Sequence, residues 1–191
     1  MKIKIGFFAI MLVLSLLISD HNFALSAILS IVIHECGHIF AAKLLKINMR
    51  ECRIDIFGAS LTPSSSDYSY KKEILLCLGG PSINIISAVL SAMFRPDISN
   101  NSITYFIFAS ITLALLNMLP IKGFDGGRIL FSTLCLALDI TKAERIIAVA
   151  SFMAIFLLWI ISVYFLMIAS SNLSLFVFSI SLFFKLFLNG N

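Results

Sequence analysis

Ile31-Val32-Ile33-His34-Glu35-Cys36-Gly37-His38-Ile39-Phe40 lies inside Phe23 to Ala42, an apolar stretch long enough to cross a bilayer as one helix. At 3.6 residues per turn, His34 and His38 fall one turn apart on one face, where both imidazoles can reach a single ion. Glu35 is rotated by about 100° from His34, beside such an ion rather than on it. A Zn²⁺ ion lowers the pKa of bound water to about 7, and a carboxylate placed there can take the water's proton. A chance match of spacing is the bland alternative. Burying an acidic residue in a span costs on the order of 3 kcal/mol, so ionisable groups found there usually serve a function. That cost favours the metal reading. His21, outside the span, reads as a solvated loop histidine.

The rest of the chain supports a membrane setting. Of its 191 residues 60% are hydrophobic and 13% charged, and the mean hydropathy is +1.03. A soluble domain of this size needs more polar surface, so the expected class is all-α integral membrane, in a single polytopic domain over 1–191 with its core at 23–130. The net charge of +4 is modest. Its basic residues sit between apolar runs, which argues against a nucleic-acid partner. Cys36, Cys52, Cys77 and Cys135 show no paired spacing and read as reduced thiols.

About six transmembrane helices are expected. Ile5 to Ser19 is the first; no small-residue cleavage site closes it, so it reads as an uncleaved span and not a signal peptide. Phe23 to Ala42, Ile74 to Phe94 and Ile98 to Ile121 are the next three. The uncharged run Ile146 to Phe184 supplies two more, broken at Ser170-Ser171-Asn172. Arg50 to Lys72 is polar and reads as a loop, in which Arg53 to Gly58 alternates as a strand does and can form a short membrane-edge β-hairpin. Arg128 to Asp139 is too short to cross and reads as an interfacial helix. With the N-terminus in the cytosol, thirteen of the fourteen Lys and Arg residues fall on the cytosolic side, and Arg95 alone falls outside. Both termini are therefore expected in the cytosol.

Two histidines leave a catalytic zinc site one ligand short. The segment Asn117-Met118-Leu119-Pro120-Ile121-Lys122-Gly123-Phe124-Asp125-Gly126-Gly127-Arg128 supplies a candidate in Asp125. The second and fourth spans run in the same direction, so their cytosolic ends share a depth. Pro120 ends or kinks the helix, and Gly123, Gly126 and Gly127 allow irregular backbone that could turn Asp125 towards the ion. Such backbone is tolerated at membrane depth where it lines a wet cavity. An ordinary loop aspartate is the alternative, and the two histidines favour the ligand. His38 lies five residues before Lys43, roughly 7–8 Å beneath the cytosolic boundary. Water would therefore arrive from that side.

Together these patches resemble the site-2 protease family of intramembrane metalloproteases. His34-Glu35-Cys36-Gly37-His38 matches the family's zinc helix, and Asn117-Met118-Leu119-Pro120 followed by Asp125-Gly126 matches its N-x-x-P-x-x-x-x-D-G signature. The resemblance implies a zinc cofactor on His34, His38 and Asp125, with Glu35 as catalytic base. Gly79-Gly80-Pro81-Ser82-Ile83-Asn84 resembles a G-P-x-x-N element, which implies Asn84 near the substrate. Asn117, and Gly58 in the hairpin Ile54 to Leu61, are implied as further substrate contacts. The span pattern is most similar to the stage IV sporulation protease subgroup, whose members trim a membrane-associated sigma-factor precursor. That likeness implies a bacterial cell membrane, a membrane-associated protein substrate, and a membrane inhibitor or regulatory protein as partners beside the lipid. The subgroup commonly carries a cytosolic CBS domain after its last span, whereas the sequence stops at Asn191, so nucleotide regulation through such a domain is not expected. Gly123 stands where relatives often have a second proline.

A non-catalytic metal carrier or channel is the rival reading. An ion pathway calls for ionisable groups along other spans, and the last two have none. A partner-binding pseudoprotease is a second rival; its usual mark is a lost ligand or base, and neither is lost.

Overall fold

The computed structural model describes residues 3–5, 21–47, 49–55, 58–63, 69–93, 101–169 and 173–188. These form β1 (Ile3–Ile5), α1 (His21–Leu44), β2 (Met49–Asp55), β3 (Gly58–Pro63), α2 (Tyr70–Met93), α3 (Asn101–Asn117), α4 (Asp125–Ala137), α5 (Ile140–Ala169) and α6 (Leu173–Leu188). Three of the helices are long and apolar enough to cross a membrane, over Phe23–Leu44, Tyr70–Met93 and Ile140–Tyr164. The apolar helix Ser102–Asn117 is shorter, and α6 has 16 residues, against roughly 20 for a full crossing. Of the six spans expected, three satisfy the length criterion among the described residues. The first expected span, Ile5 to Ser19, falls almost wholly outside the described residues. His21, expected in a loop, is the first residue of α1.

The helices are apolar on the outside and small or polar within. Leu25, Leu29, Val32, Val89, Met153 and Leu157 are exposed, while Ala24, Ser30, Ala42, Ala88, Ser110 and Ala114 are buried. This is the order a bilayer imposes. Lipid accepts large aliphatic side chains, and helices associate through small residues that let backbones approach.

Helices α1, α2 and α3 pack mutually, and α4 joins them through α2. The closest approach lies between Gly37 and Gly79. A Cβ on Gly37 would overlap the Gly79 carbonyl, and one on Gly79 would stand 2.7 Å from both the Gly37 oxygen and the Ala41 Cβ. Helix α1 ends with Lys46 at φ 53° and a hydrogen bond from Ile47 N–H to the Ala42 carbonyl of 2.9 Å. That six-to-one bond around a left-handed residue satisfies a terminal carbonyl and stops the helix.

Between α3 and α4 the chain turns tightly. The N–H of Ile121 bonds Leu119 O at 2.7 Å, that of Phe124 bonds Ile121 O at 2.9 Å, and Gly123 has φ 102°. Ile121 and Phe124 are buried with Ile155 of α5 and Leu182 of α6, which anchors the turn in the core. The turn is further tied to α5 by Ser151, whose hydroxyl accepts from Lys122 N–H at 2.8 Å. The sequence places irregular backbone through Gly126 and Gly127, but the irregularity ends at Phe124. Both glycines are helical, and Asp125 is the first residue of α4. The short helix expected from Arg128 therefore begins three residues earlier.

Strands β2 and β3 pair antiparallel, with Asp55 opposite Gly58 and Ile54 opposite Ala59. Strand β1 pairs parallel with β2, aligning Ile3 with Cys52, a third strand that the sequence did not announce.

Candidate metal centre

Three buried side chains from two elements converge. His34 Nε2 lies 3.1 Å from Asp125 Oδ2, His38 Nε2 lies 3.2 Å from the same oxygen, and the two imidazole nitrogens are 3.2 Å apart. Helix α1 supplies both histidines at i and i+4. Asp125 arrives at the N-terminus of α4, where the helix dipole favours a carboxylate. Gly126 and Gly127 allow that approach: a Cβ on either would overlap the backbone carbonyl of Met118 or Ile121.

A tetrahedral zinc with bonds of about 2.0–2.1 Å separates its ligand atoms by about 3.3 Å. The three observed separations fall just inside that value. Two imidazoles and a carboxylate also form a donor set that suits zinc. Gly80 of α2 faces the same point, and a Cβ there would sit 2.5 Å from His38 Nε2 and 2.7 Å from His34 Nε2. The residue keeps that space open by having no side chain. On donor chemistry, spacing and room, the residues fit the ion.

The surroundings orient the ligands. His38 Nδ1 stands 2.9 Å from the Leu76 carbonyl. A carbonyl only accepts, so Nδ1 carries a proton, and it is Nε2 that can give its lone pair to an ion once deprotonated. Pro81 sits inside α2, where it has no N–H to donate to the Cys77 carbonyl one turn earlier. Burial works to raise the pKa of Asp125, but hydrogen bonds and charge from His34 and His38 outweigh it and hold the carboxyl at about 2. On the next turn of α4, Arg128 pairs with Glu73 of α2, at 2.6 Å from Nε and 2.5 Å from the terminal nitrogen. Burial works to lower the Arg128 pKa, and the neighbouring Cys77 and Glu73 hold it above its ordinary value.

The expected residues divide into two groups. His34, His38 and Asp125 form one cluster of potential ligands, and Glu35 stands half-buried beside His34 on α1. Asn84 also reaches the site, fully buried, with Nδ2 3.3 Å from His34 Nδ1. Asn117 is the half-buried last residue of α3, and Gly58 opens β3; neither belongs to the cluster. Sequence reasoning missed Leu76, Gly80, Glu73, Arg128 and Ser151. Glu73 at the edge of a span, with Arg128 three residues beyond Asp125, was the one available signal of a charge pair.

This arrangement combines candidate membrane-spanning helices with a His-His-Asp group that could hold a metal ion, and comparisons with known proteins agree with it. The model of Peptidase family M50 matches residues 96–161, a segment that contains Asn117, Pro120 and Asp125 but not the histidines. The fold is similar to the Site-2 Protease from Methanocaldococcus jannaschii, with a TM-score of 0.67 and 21% identity over 97% of this chain and 90% of that one. The resemblance to the site-2 protease family therefore holds in fold and in sequence motif. Among curated proteins, the chain is similar to Stage IV sporulation protein FB of Bacillus subtilis (strain 168), 27% identical over 135 residues, 68% of this chain. The match spans 46% of that protein's length, about half.

Proposed function

We propose that this chain is an intramembrane zinc endopeptidase that cleaves a membrane-tethered or membrane-associated protein near the cytosolic face. The observation that carries the proposal is the triangle of His34, His38 and Asp125 atoms, 3.1–3.2 Å on each edge, with a carboxylate one residue from the first ligand. The three residues would hold Zn²⁺, which supplies Lewis acidity and a water of lowered pKa when bound. Glu35 takes the proton from the attacking water and delivers it to the leaving amine. The substrate strand must be extended at that point, because a helical peptide bond keeps its carbonyl inside the hydrogen-bonded ladder. Gly58 and Asn117 are assigned to holding it. Both termini lie in the cytosol of a bacterial cell on this reading. A sigma-factor precursor is the proposed substrate type, on the likeness to the sporulation protein, with a membrane inhibitor as regulator.

The test is co-expression of tethered precursors with the wild-type chain and with Glu35→Gln. Glu35→Gln keeps zinc and yields no new termini. Full cleavage by that variant, or ion transport by purified protein in vesicles with no cleavage by the wild type, overturns the proposal in favour of a carrier or channel.

A further inference from the structure

Asn84 has no accessible surface, and it meets the ring nitrogen of His34 that faces away from the ligand cluster. Its Nδ2 lies 3.3 Å from His34 Nδ1, while its Oδ1 has no hydrogen-bond partner among the described residues. A buried amide oxygen left in that state is destabilising. With Nδ2–H donating to Nδ1, the imidazole proton sits on Nε2, where Asp125 Oδ2 at 3.1 Å receives it. That tautomer has no lone pair to offer a metal at Nε2. Turning the amide through 180° brings Oδ1 to the place of Nδ2. The contact then becomes Nδ1–H···Oδ1, and Nε2 is freed. The terminal torsion of asparagine is broad and two-fold, so the turn meets little intrinsic resistance.

His38 has a different partner. The Leu76 carbonyl at 2.9 Å can only accept, so Nδ1 of this ring keeps its proton whether or not metal is present, and Nε2 is the nitrogen left for the ion. The two histidines of one motif thus have unlike supports, one fixed and one reversible.

We propose that Asn84 is a positioning residue for His34, its amide presenting Nδ2 to the metal-free ring and Oδ1 to the metal-bearing one. The inference rests on the metal reading of the site. A carboxylate in this place can only accept, and an aliphatic side chain can do neither. Outer-shell partners of this kind typically contribute 10–100-fold to metal affinity.

The test uses the full chain with Glu35→Gln as parent, purified in detergent. Zinc affinity is measured by competition with a chromophoric chelator, and ligand geometry by the visible spectrum of the Co²⁺ form. Asn84→Leu lowers zinc affinity roughly 10–100-fold and alters the cobalt spectrum. Asn84→Asp, which keeps the acceptor, restores both. Unchanged affinity and spectrum in Asn84→Leu, with a raised KM for substrate in the Glu35 chain, assigns Asn84 to the substrate and overturns the proposal. Should Asn84→Leu fail to fold, Asn84→Asp decides: affinity at or above the parent's supports the proposal, and affinity tenfold weaker or worse overturns it. A parent that binds no zinc sinks the metal reading itself, a result distinct from either outcome.

Discussion

Arg128 reaches from α4 to Glu73 on α2, and this pair locks together the two helices that carry Asp125 and Gly80. Both side chains are mostly withdrawn from solvent, at 21% and 14% exposure, and the pair lies one helical turn after Asp125. Removing one partner leaves the other charge uncompensated, at about 3 kcal/mol. Arg128→Met should therefore lower the unfolding temperature and weaken zinc binding, because α4 loses its hold on α2. The double variant Glu73→Leu/Arg128→Met should be more stable than Arg128→Met alone. Thermal unfolding of the four chains in detergent checks this, and strict additivity would contradict it.

Gly80 makes a sharper demand. Alanine is a good helix former, so Gly80→Ala should leave α2 folded, yet its methyl would occupy the space 2.5–2.7 Å from both ligand nitrogens. Zinc content of the purified variant is expected to fall at least about tenfold, with helical circular dichroism unchanged. Full zinc occupancy would show that the ion sits elsewhere.

Acid should act on the metal-free protein through Asp125. Its carboxyl is held at about 2 in the folded chain against 3.8 for the free group, so the folded state binds that proton less readily than the unfolded one. The resulting stability, about 2 kcal/mol, is fully present above the unfolded value and is lost as pH falls towards about 2. Asp125→Asn cannot lose what it does not have. In chelator-treated protein, the gap in unfolding temperature between wild type and Asp125→Asn should be largest near neutrality and narrow from about pH 4 downwards.

The parts of the site set by local spacing were legible in the sequence. His34 and His38 share a face because the helical period dictates it, and Asp125 follows from the need for a third donor at the same depth. The Gly126-Gly127 pair was misread as loop. Glycine permits irregular backbone, but here it serves close packing of a helix end under the Met118 and Ile121 carbonyls. The contact of Asn84 with His34 was not legible, because nothing in a sequence gives the rotation of α2 about its axis. That rotation points Asn84 at His34 and the Leu76 carbonyl at His38. Of the six expected spans, three meet the length criterion among the described residues, and the first lies almost wholly outside them. Hydropathy marks apolar runs, whereas the tight Met118–Phe124 turn and the 16 residues of α6 set the helix lengths.

X-ray absorption at the zinc edge of purified Glu35→Gln tests the centre most directly, read beside the same measurement on Asp125→Ala. Two imidazole nitrogens and oxygen at about 2.0–2.1 Å, one zinc per chain, and loss of most of that zinc in Asp125→Ala are the expected results. Sulfur in the coordination shell, or an Asp125→Ala chain that holds its zinc unchanged, would contradict the account.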